Sequence, residues 1–459
     1  MRRGNFSRRF DSFMDRHLSG TVFTWRQILQ MTIPYMLDNF SIMLIGMLIT
    51  ALISSNGVTS MAAVSLVGPI TNLVVCVFNG IGAGGTVVVA QCCGMGDPRN
   101  VSRACGQVIS LTVLIGVVAC LPLLLFPNAV LMALYPDAEE AVLEKASVYL
   151  AGSTWSILAF TLYIGIYSVL RGLGESKKCL ILSIIINVAY LLFSIVFLNW
   201  LKLDIRGSVY ALVLARIMGA VCAVALLFII HPPISLTPRH LLSFDRNLVG
   251  STMKVSIPLG LEQIFSTCGS IVAGMFMIQL GTTAVATNAI ANSLQGVLLA
   301  AASSSATLAV TVVGRCVGAG KRQEARRYTM ISVYIGGILL ALSALVFFPL
   351  LPLLLRQYNP TPQQAATATR LLLLSIPALF LCWPMSNTMP NALRAANDTV
   401  FPSVFSLCAL WVVNIGLAYL LSIHLGLGLM GVWIALWATW AIRALGFYLR
   451  FRRLDWSDR

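Results

Sequence analysis

Long apolar stretches, separated by short polar segments, run through the whole of this chain. A helix needs about 20 mostly apolar residues to cross the hydrocarbon core of a bilayer. The stretches are continuous and do not alternate between apolar and polar positions, which favours helices over the strands of a membrane barrel. The pattern predicts an all-α integral membrane protein with twelve transmembrane helices, near residues 27–53, 61–91, 105–126, 146–169, 179–200, 208–230, 254–279, 284–313, 329–355, 371–392, 400–423 and 428–449.

The two halves of the chain resemble each other at an offset of 224 residues, from Pro34 to Pro258. Gly207 and Gly431 follow the same offset. Many secondary transporters build two lobes around a central site from such duplicated halves. The repeat predicts two pseudo-symmetric six-helix lobes, 27–230 and 254–449, with a cytoplasmic linker at 231–253 and cytoplasmic tails at 1–26 and 450–459.

The composition agrees with a membrane protein, since 58% of residues are hydrophobic and 10% are charged, against about 25% charged in soluble domains. The net charge of +15 falls mostly on the side that holds both termini, which the positive-inside rule assigns to the cytoplasm. We therefore predict a multi-pass protein of the plasma membrane with a basic rim against anionic lipid headgroups. The basic residues are scattered over short segments, so no nucleic-acid partner is predicted.

Two acidic residues, Asp38 and Glu262, lie inside predicted spans at corresponding points of the two halves. A charge at the centre of a membrane helix costs at least about 2.5–3.5 kcal/mol, and such residues usually mark ion or substrate pathways. A structural alternative is a protonated acid that hydrogen-bonds a neighbouring helix. The symmetric placement favours function, and we predict that both acids bind the coupling ion or the substrate.

Each acid has the same local setting, four residues after a proline and directly before an amide. Proline cannot donate the helical hydrogen bond and disturbs the preceding turn. Kinks at Pro34 and Pro258 would leave carbonyl groups near the acid and its amide neighbour, Asn39 or Gln263. Together these groups suit a proton–water chain or Na⁺, with Glu262 as the candidate Na⁺ ligand; the alternative is a kink that serves packing alone.

Further polar residues occur inside the spans at helical spacing. They could line a cavity, or tie helices together by hydrogen bonds of about 0.6 kcal/mol each. The arginine of the sixth span could pair with an acid or extend to the interface. The candidate cavity-lining residues from this pattern are Asn72, Asn79, Asn288, Asn292, Gln295 and Arg216.

A set of motifs in order resembles the multidrug and toxic compound extrusion (MATE) family. The matching residues include Pro34, Gly57, Val89-Ala90-Gln91, Leu170-Arg171-Gly172-Leu173-Gly174, Asn187, Ile257-Pro258 and Gly281. The resemblance implies a two-lobe, monomeric exporter in which inward flow of H⁺ or Na⁺ drives export of organic cations, without another cofactor. It also adds Asn187 to the candidate cavity-lining residues.

The sequence departs from the family pattern at two places. Many relatives carry an Asp about 15 residues after the first proline, where this chain has Ile49. Asp38 lies 11 residues earlier, and at 100° per residue the two directions differ by about 20°, so Asp38 could face the same cavity. The tenth span contains no acid, although some Na⁺-coupled relatives use one there.

Two other functions compete with a cation exporter. A flippase or exporter of a lipid-linked or other anionic metabolite should have several cations in its cavity, and Arg216 and Arg443 are the candidates inside spans. A membrane-embedded enzyme would need nucleophile–base pairs or metal ligands at membrane depth. The histidines are not placed for either, so we predict that the chain is not an enzyme.

Overall fold

The structure is a computed structural model that describes residues 15, 18–54, 58–135, 140–201, 203–229 and 245–458. Three sequence predictions lie outside these residues: most of the basic tail, Gly57, and the linker up to residue 244. The side chain of Ile49 is also outside the described part of the chain.

All regular elements within the described residues are helices. The α-helices are α1 (Trp25–Ser54), α2 (Val58–Met95), α3 (Pro98–Leu125), α4 (Pro127–Leu134), α5 (Glu140–Gly172), α6 (Ser176–Ser194), α7 (Asp204–Ile229), α8 (Arg246–Gln279), α9 (Thr282–Gly318), α10 (Arg322–Arg356), α11 (Pro362–Leu374), α12 (Ile376–Leu381), α13 (Trp383–Ala395), α14 (Val400–Cys408) and α15 (Gly428–Arg453). Three segments wind as π-helix, namely Ile195–Trp200, Ala409–Leu417 and Leu420–His424.

Within the described residues, 12 helical stretches are long and apolar enough to cross a membrane. This confirms the predicted all-α class with twelve spans. The tenth span differs from its predicted bounds of 371–392, because it covers Pro362–Leu381 and α13 follows as a separate helix.

The early start of the tenth span has a local cause at Thr361. Its hydroxyl accepts a hydrogen bond from the amide of Gln364 at 3.3 Å, and the Gln364 side chain accepts from the amide of Thr361 at 2.9 Å. This capping box, followed by Pro362 at the first helical position, is a strong start signal. Arg370, directly before the predicted start of this span at residue 371, is therefore inside a helix.

The described residues form two compact units. The N-terminal unit contains Phe40–Cys93 and Asp97–Ile264, and the C-terminal unit contains the chain up to Asn39, Gly94–Gly96 and Phe265–Arg459. Each unit has its own buried apolar core, built around Leu131, Leu150 and Val209 in the N-terminal unit and around Leu298, Leu340 and Trp433 in the C-terminal unit. The lobe boundaries given by the repeat stay a prediction.

Small residues bring the helices of the N-terminal unit together along α2. A Cβ added at Gly80 would lie 2.7 Å from the Cα of Gly260 in α8, and one added at Gly82 would lie 2.5 Å from the Ser168 hydroxyl in α5. The hydrophobic effect does not drive helices together in lipid, so their association depends on close van der Waals packing, which small residues permit. This packing also fixes one wall of the cavity described next.

Candidate functional site

The N-terminal unit contains a cavity of about 560 Å³. Its walls come from α1, α2, α5, α6 and α7. Two arginines line it, Arg171 and Arg216, and its described lining includes no aspartate or glutamate. The cavity therefore carries positive charge only.

Arg216 lies about 15 Å along the helix from each end of the span Arg206–Leu227, at 1.5 Å per residue. Its Nη1 atom donates a hydrogen bond to the Ser156 hydroxyl at 2.8 Å, and its guanidinium carbon lies 4.5 Å from the ring centre of Phe160. A hydrogen bond to a charged group contributes about 1.5–3 kcal/mol, and a cation–π contact up to about 2 kcal/mol when desolvated. Together they match the cost of at least about 2.5–3.5 kcal/mol for placing the charge at this depth.

Arg216 has no ion pair with a carboxylate in the part of the chain that the structure describes. The ionisable side chains that act on it electrostatically are Tyr190, Tyr149 and Cys120, residue types that are uncharged at neutral pH in their ordinary state. A guanidinium group has five N–H donors, and the described residues provide one hydrogen-bond partner. The remaining donors can serve a ligand in the cavity.

Three aromatic rings on one face of α5 form a continuous stack beside this arginine. Phe160 and Tyr163 are 5.4 Å apart between ring centres with an angle of 11°, and Tyr163 and Tyr167 are 5.5 Å apart with an angle of 15°. All three rings line the cavity. The spacing of three and four residues keeps them on the same helix face.

Arg171 closes the other end of the stack. Its guanidinium carbon lies 4.4 Å from the ring centre of Tyr167, and Nη2 donates to the Tyr167 hydroxyl at 2.7 Å. From Phe160 to Arg171 the axial distance is about 16 Å at 1.5 Å per residue. The stack therefore joins a cation at membrane depth to a cation at the end of the span that the sequence assigns to the cytoplasm.

Neutral polar groups complete the lining. The Asn187 amide donates to the backbone carbonyl of Ser183 at 2.8 Å and contacts its hydroxyl at 3.2 Å. Asn79 lies in the wall contributed by α2. Of the residues predicted to line a cavity, Asn79, Asn187 and Arg216 are thus brought together here.

The predicted ion-coupling residues lie outside this lining. Asp38 is in α1, within the C-terminal unit, and is fully buried with 0% exposure, while Asn39 beside it is half-buried. Glu262 is half-buried and Gln263 is exposed, both on α8 in the N-terminal unit. Pro34 and Pro258 each lie inside a single α-helix that continues on both sides of the proline.

The other predicted polar residues have separate surroundings. Asn72 is exposed on α2, and Asn292 is exposed on α9. Asn288 accepts a hydrogen bond from Trp433 Nε1 at 3.0 Å, so it ties α9 to α15 within the C-terminal unit. Gln295 is buried with 6% exposure.

Comparison with known proteins identifies the family. The family model MatE matches residues 34–197 and 258–420, two segments that begin at the two prolines of the internal repeat. The chain belongs to the MatE family. Its members are transporters, so the family agrees with the prediction that the chain is not an enzyme.

Curated MATE relatives match over nearly the full chain. The "Probable multidrug resistance protein YoeA" of Bacillus subtilis is 25% identical over 92% of each chain. The "Probable multidrug resistance protein NorM" of Thermotoga maritima is 23% identical over 95% of this chain and 93% of the relative. The chain is therefore a multi-pass membrane protein of a multidrug resistance transporter family.

Solved structures show the same fold. An outward-facing multidrug resistance MATE transporter of the MOP superfamily superposes with a TM-score of 0.85 at 18% identity, over 93% of this chain and 94% of the other. A MOP superfamily transporter from Pyrococcus furiosus, described by the reverse polarity of its binding pocket, gives 0.84 at 18% identity, over the same shares of the two chains.

Sequence reasoning did not find the aromatic stack of this MATE transporter. In the sequence, Phe160, Tyr163 and Tyr167 belong to the fourth apolar stretch, and Arg171 belongs to a family motif. Their spacing of three, four and four residues is a helical stripe that ends in a cation. That stripe was a usable signal, but it becomes a site only through the arginine that α7 brings beside it.

Proposed function

We propose that this chain is a secondary active exporter of small organic molecules, driven by inward H⁺ or Na⁺ in an antiport cycle of alternating access. The observation that carries the proposal is Asp38, an acid with 0% exposure that lies at membrane depth four residues after the proline where the family match begins. Glu262 has the same spacing from the proline that begins the second matched segment, and its side chain is half-buried. An ionisable group kept in such a place is expected to have a functional reason.

The coupling follows from differential binding. An ion can drive a conformational change only if its affinity differs between the two states. We propose that H⁺ or Na⁺ binds at Asp38 and Glu262 more tightly in one state of the cycle, with Asn39 and Gln263 as neighbouring ligands. The protein would work as a monomer in the plasma membrane, with both termini in the cytoplasm and a basic rim on anionic lipid.

Two substrate classes remain as candidates. The family resemblance and the multidrug names of the relatives support an organic cation. The cavity of the N-terminal unit supports an anionic metabolite, because its charged lining consists of Arg171 and Arg216. The two classes differ in the sign of their charge, so probes of one shape and opposite charge separate them.

The test of ion coupling is transport in everted vesicles of two fluorescent probes of one shape and opposite charge, an organic cation and an aromatic carboxylate. An inward proton gradient is imposed first and a sodium gradient second. We expect one gradient to drive transport in the wild-type protein, and Asp38→Asn and Glu262→Gln to abolish it at normal membrane abundance. Glu175→Gln is the matched control, since Glu175 lies at a helix end and pairs with Lys178 at 3.4 Å. Unchanged transport in both acid variants would remove the coupling proposal.

A further inference from the structure

The cavity of the N-terminal unit has the chemistry of a receptor for aromatic anions. Its charged groups are two guanidiniums, and its rings include Phe160, Tyr163, Tyr167 and Tyr190. A carboxylate matches the planar fork of an arginine and can form two parallel hydrogen bonds with it. Aromatic faces add offset stacking with a planar ligand.

Geometry restricts which guanidinium anchors the ligand. Arg216 donates one hydrogen bond among the described residues, to Ser156, and its guanidinium carbon lies 4.5 Å from the ring centre of Phe160. It is only partly exposed, at about mid-depth of its helix. A charge there gains more from a bound anion than a surface arginine does, because the surrounding medium screens it weakly.

We propose that Arg216 is the anion anchor of a binding site for planar aromatic carboxylates, with the ring of the ligand against the stack of Phe160, Tyr163 and Tyr167. Asn187 and Asn79 lie in the same lining and supply neutral hydrogen-bonding groups. Arg171, at the far end of the stack, attracts the anion from the side where α5 ends. The inference rests on the proposed export function, whose substrate class it specifies.

An organic cation should bind this cavity more weakly than an aromatic anion does. An ammonium ligand would meet two guanidinium groups and no carboxylate in the described lining, and like charges repel strongly in a medium of low dielectric constant. A cation–π contact with one ring contributes about 0.5–1 kcal/mol when exposed and about 2 kcal/mol or more when desolvated, and it would have to offset this repulsion. The sign of the ligand charge therefore decides between the two substrate classes at this site.

The test uses the purified full-length protein and two probes with the same ring, 1-naphthoate and 1-naphthylmethylammonium, titrated by calorimetry without any ion gradient. We expect the wild-type protein to bind naphthoate more tightly than the ammonium probe. Arg216→Gln should weaken naphthoate binding about tenfold or more, as expected when a charge-assisted pair is lost. Arg216→Lys keeps the charge and should lose less, and cyclohexanecarboxylate should bind more weakly than naphthoate.

Arg443→Gln is the matched control, since Arg443 also lies inside a span but in the C-terminal unit. Its naphthoate affinity should equal that of the wild-type protein. Equal naphthoate affinity in the wild-type protein and both Arg216 variants would overturn the proposal. Tighter binding of the ammonium probe, or binding of phosphatidylglycerol by a protein that does not bind naphthoate, would do the same.

Failure of this inference is distinguishable from failure of the proposed function. Binding is measured at equilibrium, so it does not depend on coupling to H⁺ or Na⁺. If naphthoate binding depends on Arg216 but neither gradient drives transport of either probe, the site is supported and the antiport is contradicted. Gradient-driven efflux with naphthoate binding that ignores Arg216 would do the reverse.

Discussion

The Glu324 carboxylate holds the backbone of residues 21 and 22, just before α1, and its removal should loosen that segment. Glu324, in the first turn of α10, accepts hydrogen bonds from the backbone amides of Thr21 at 3.0 Å and Val22 at 3.2 Å. The Thr21 hydroxyl, which also accepts a hydrogen bond from Lys321, donates to the same carboxylate. All of these residues belong to the C-terminal unit.

The magnitude follows from the two amide hydrogen bonds. A net hydrogen bond is worth about 0.5–1.5 kcal/mol, and more when one partner is charged. Glu324 is only half-buried, so about 1 kcal/mol for each amide is reasonable. Glu324→Ala should lower the free energy of local opening by about 2 kcal/mol, which is about a 30-fold change in the opening equilibrium. Glu324→Gln keeps one acceptor oxygen and should change it about fivefold.

Hydrogen exchange of the amides of Thr21 and Val22 measures this opening directly. We expect faster exchange at these two amides in Glu324→Ala, with an intermediate rate in Glu324→Gln. Exchange should stay slower in α1, because Phe23, two residues before the helix, anchors its start. Phe23 is buried with 4% exposure, and its carbonyl accepts a hydrogen bond from the Tyr328 hydroxyl at 2.9 Å. Glu175→Gln serves as the control with no change at this segment.

Equal exchange rates at residues 21 and 22 in the wild-type protein and Glu324→Ala would refute the reasoning. They would mean that the contacts of Phe23 with Tyr328 and of Thr21 with Lys321 hold the segment without the carboxylate. Tyr328→Phe removes the hydroxyl but keeps the ring contact of 6.0 Å with Phe23. Faster exchange in that variant, with none in Glu324→Ala, would assign the anchor to the buried hydroxyl.

Two further predictions concern packing. Gly82→Ala should destabilise the protein and narrow the cavity, because the new Cβ would lie 2.5 Å from the Ser168 hydroxyl and overpacking costs about 1–3 kcal/mol. The control is Gly68→Ala on the same helix, which has nothing within 4 Å and should be neutral or stabilising. Equal melting temperatures of the two variants would contradict this prediction. Trp433→Phe should lower the melting temperature of the solubilised protein, since it removes the hydrogen bond to the half-buried Asn288, and a net hydrogen bond contributes about 0.5–1.5 kcal/mol. The control is Trp411→Phe, at an exposed position; an equal loss there would assign the effect to the indole ring in general.

Much of the fold follows from the sequence because a bilayer limits which secondary structures a chain can adopt. Apolar runs of about 20 residues can satisfy their backbone groups in lipid only as helices, so the twelve spans could be predicted. Hydropathy alone places the tenth span at residues 371–392, but Thr361, Pro362 and Gln364 form the start signal of that helix. A local capping motif, readable in the sequence, decides that boundary.

The chemistry of the cavity depended on tertiary structure. The sequence marked Asp38 and Glu262 because a buried acid is costly wherever its helix packs, and it placed Arg216, Asn79 and Asn187 among candidates without a shared site. Only the packing of α5 against α7 brings Arg216 beside Phe160 and excludes carboxylates from the described lining. Hydropathy and residue spacing describe a single helix. The charge of a cavity is instead the sum of contributions from five helices, some of them distant in sequence, and only their packing determines its sign.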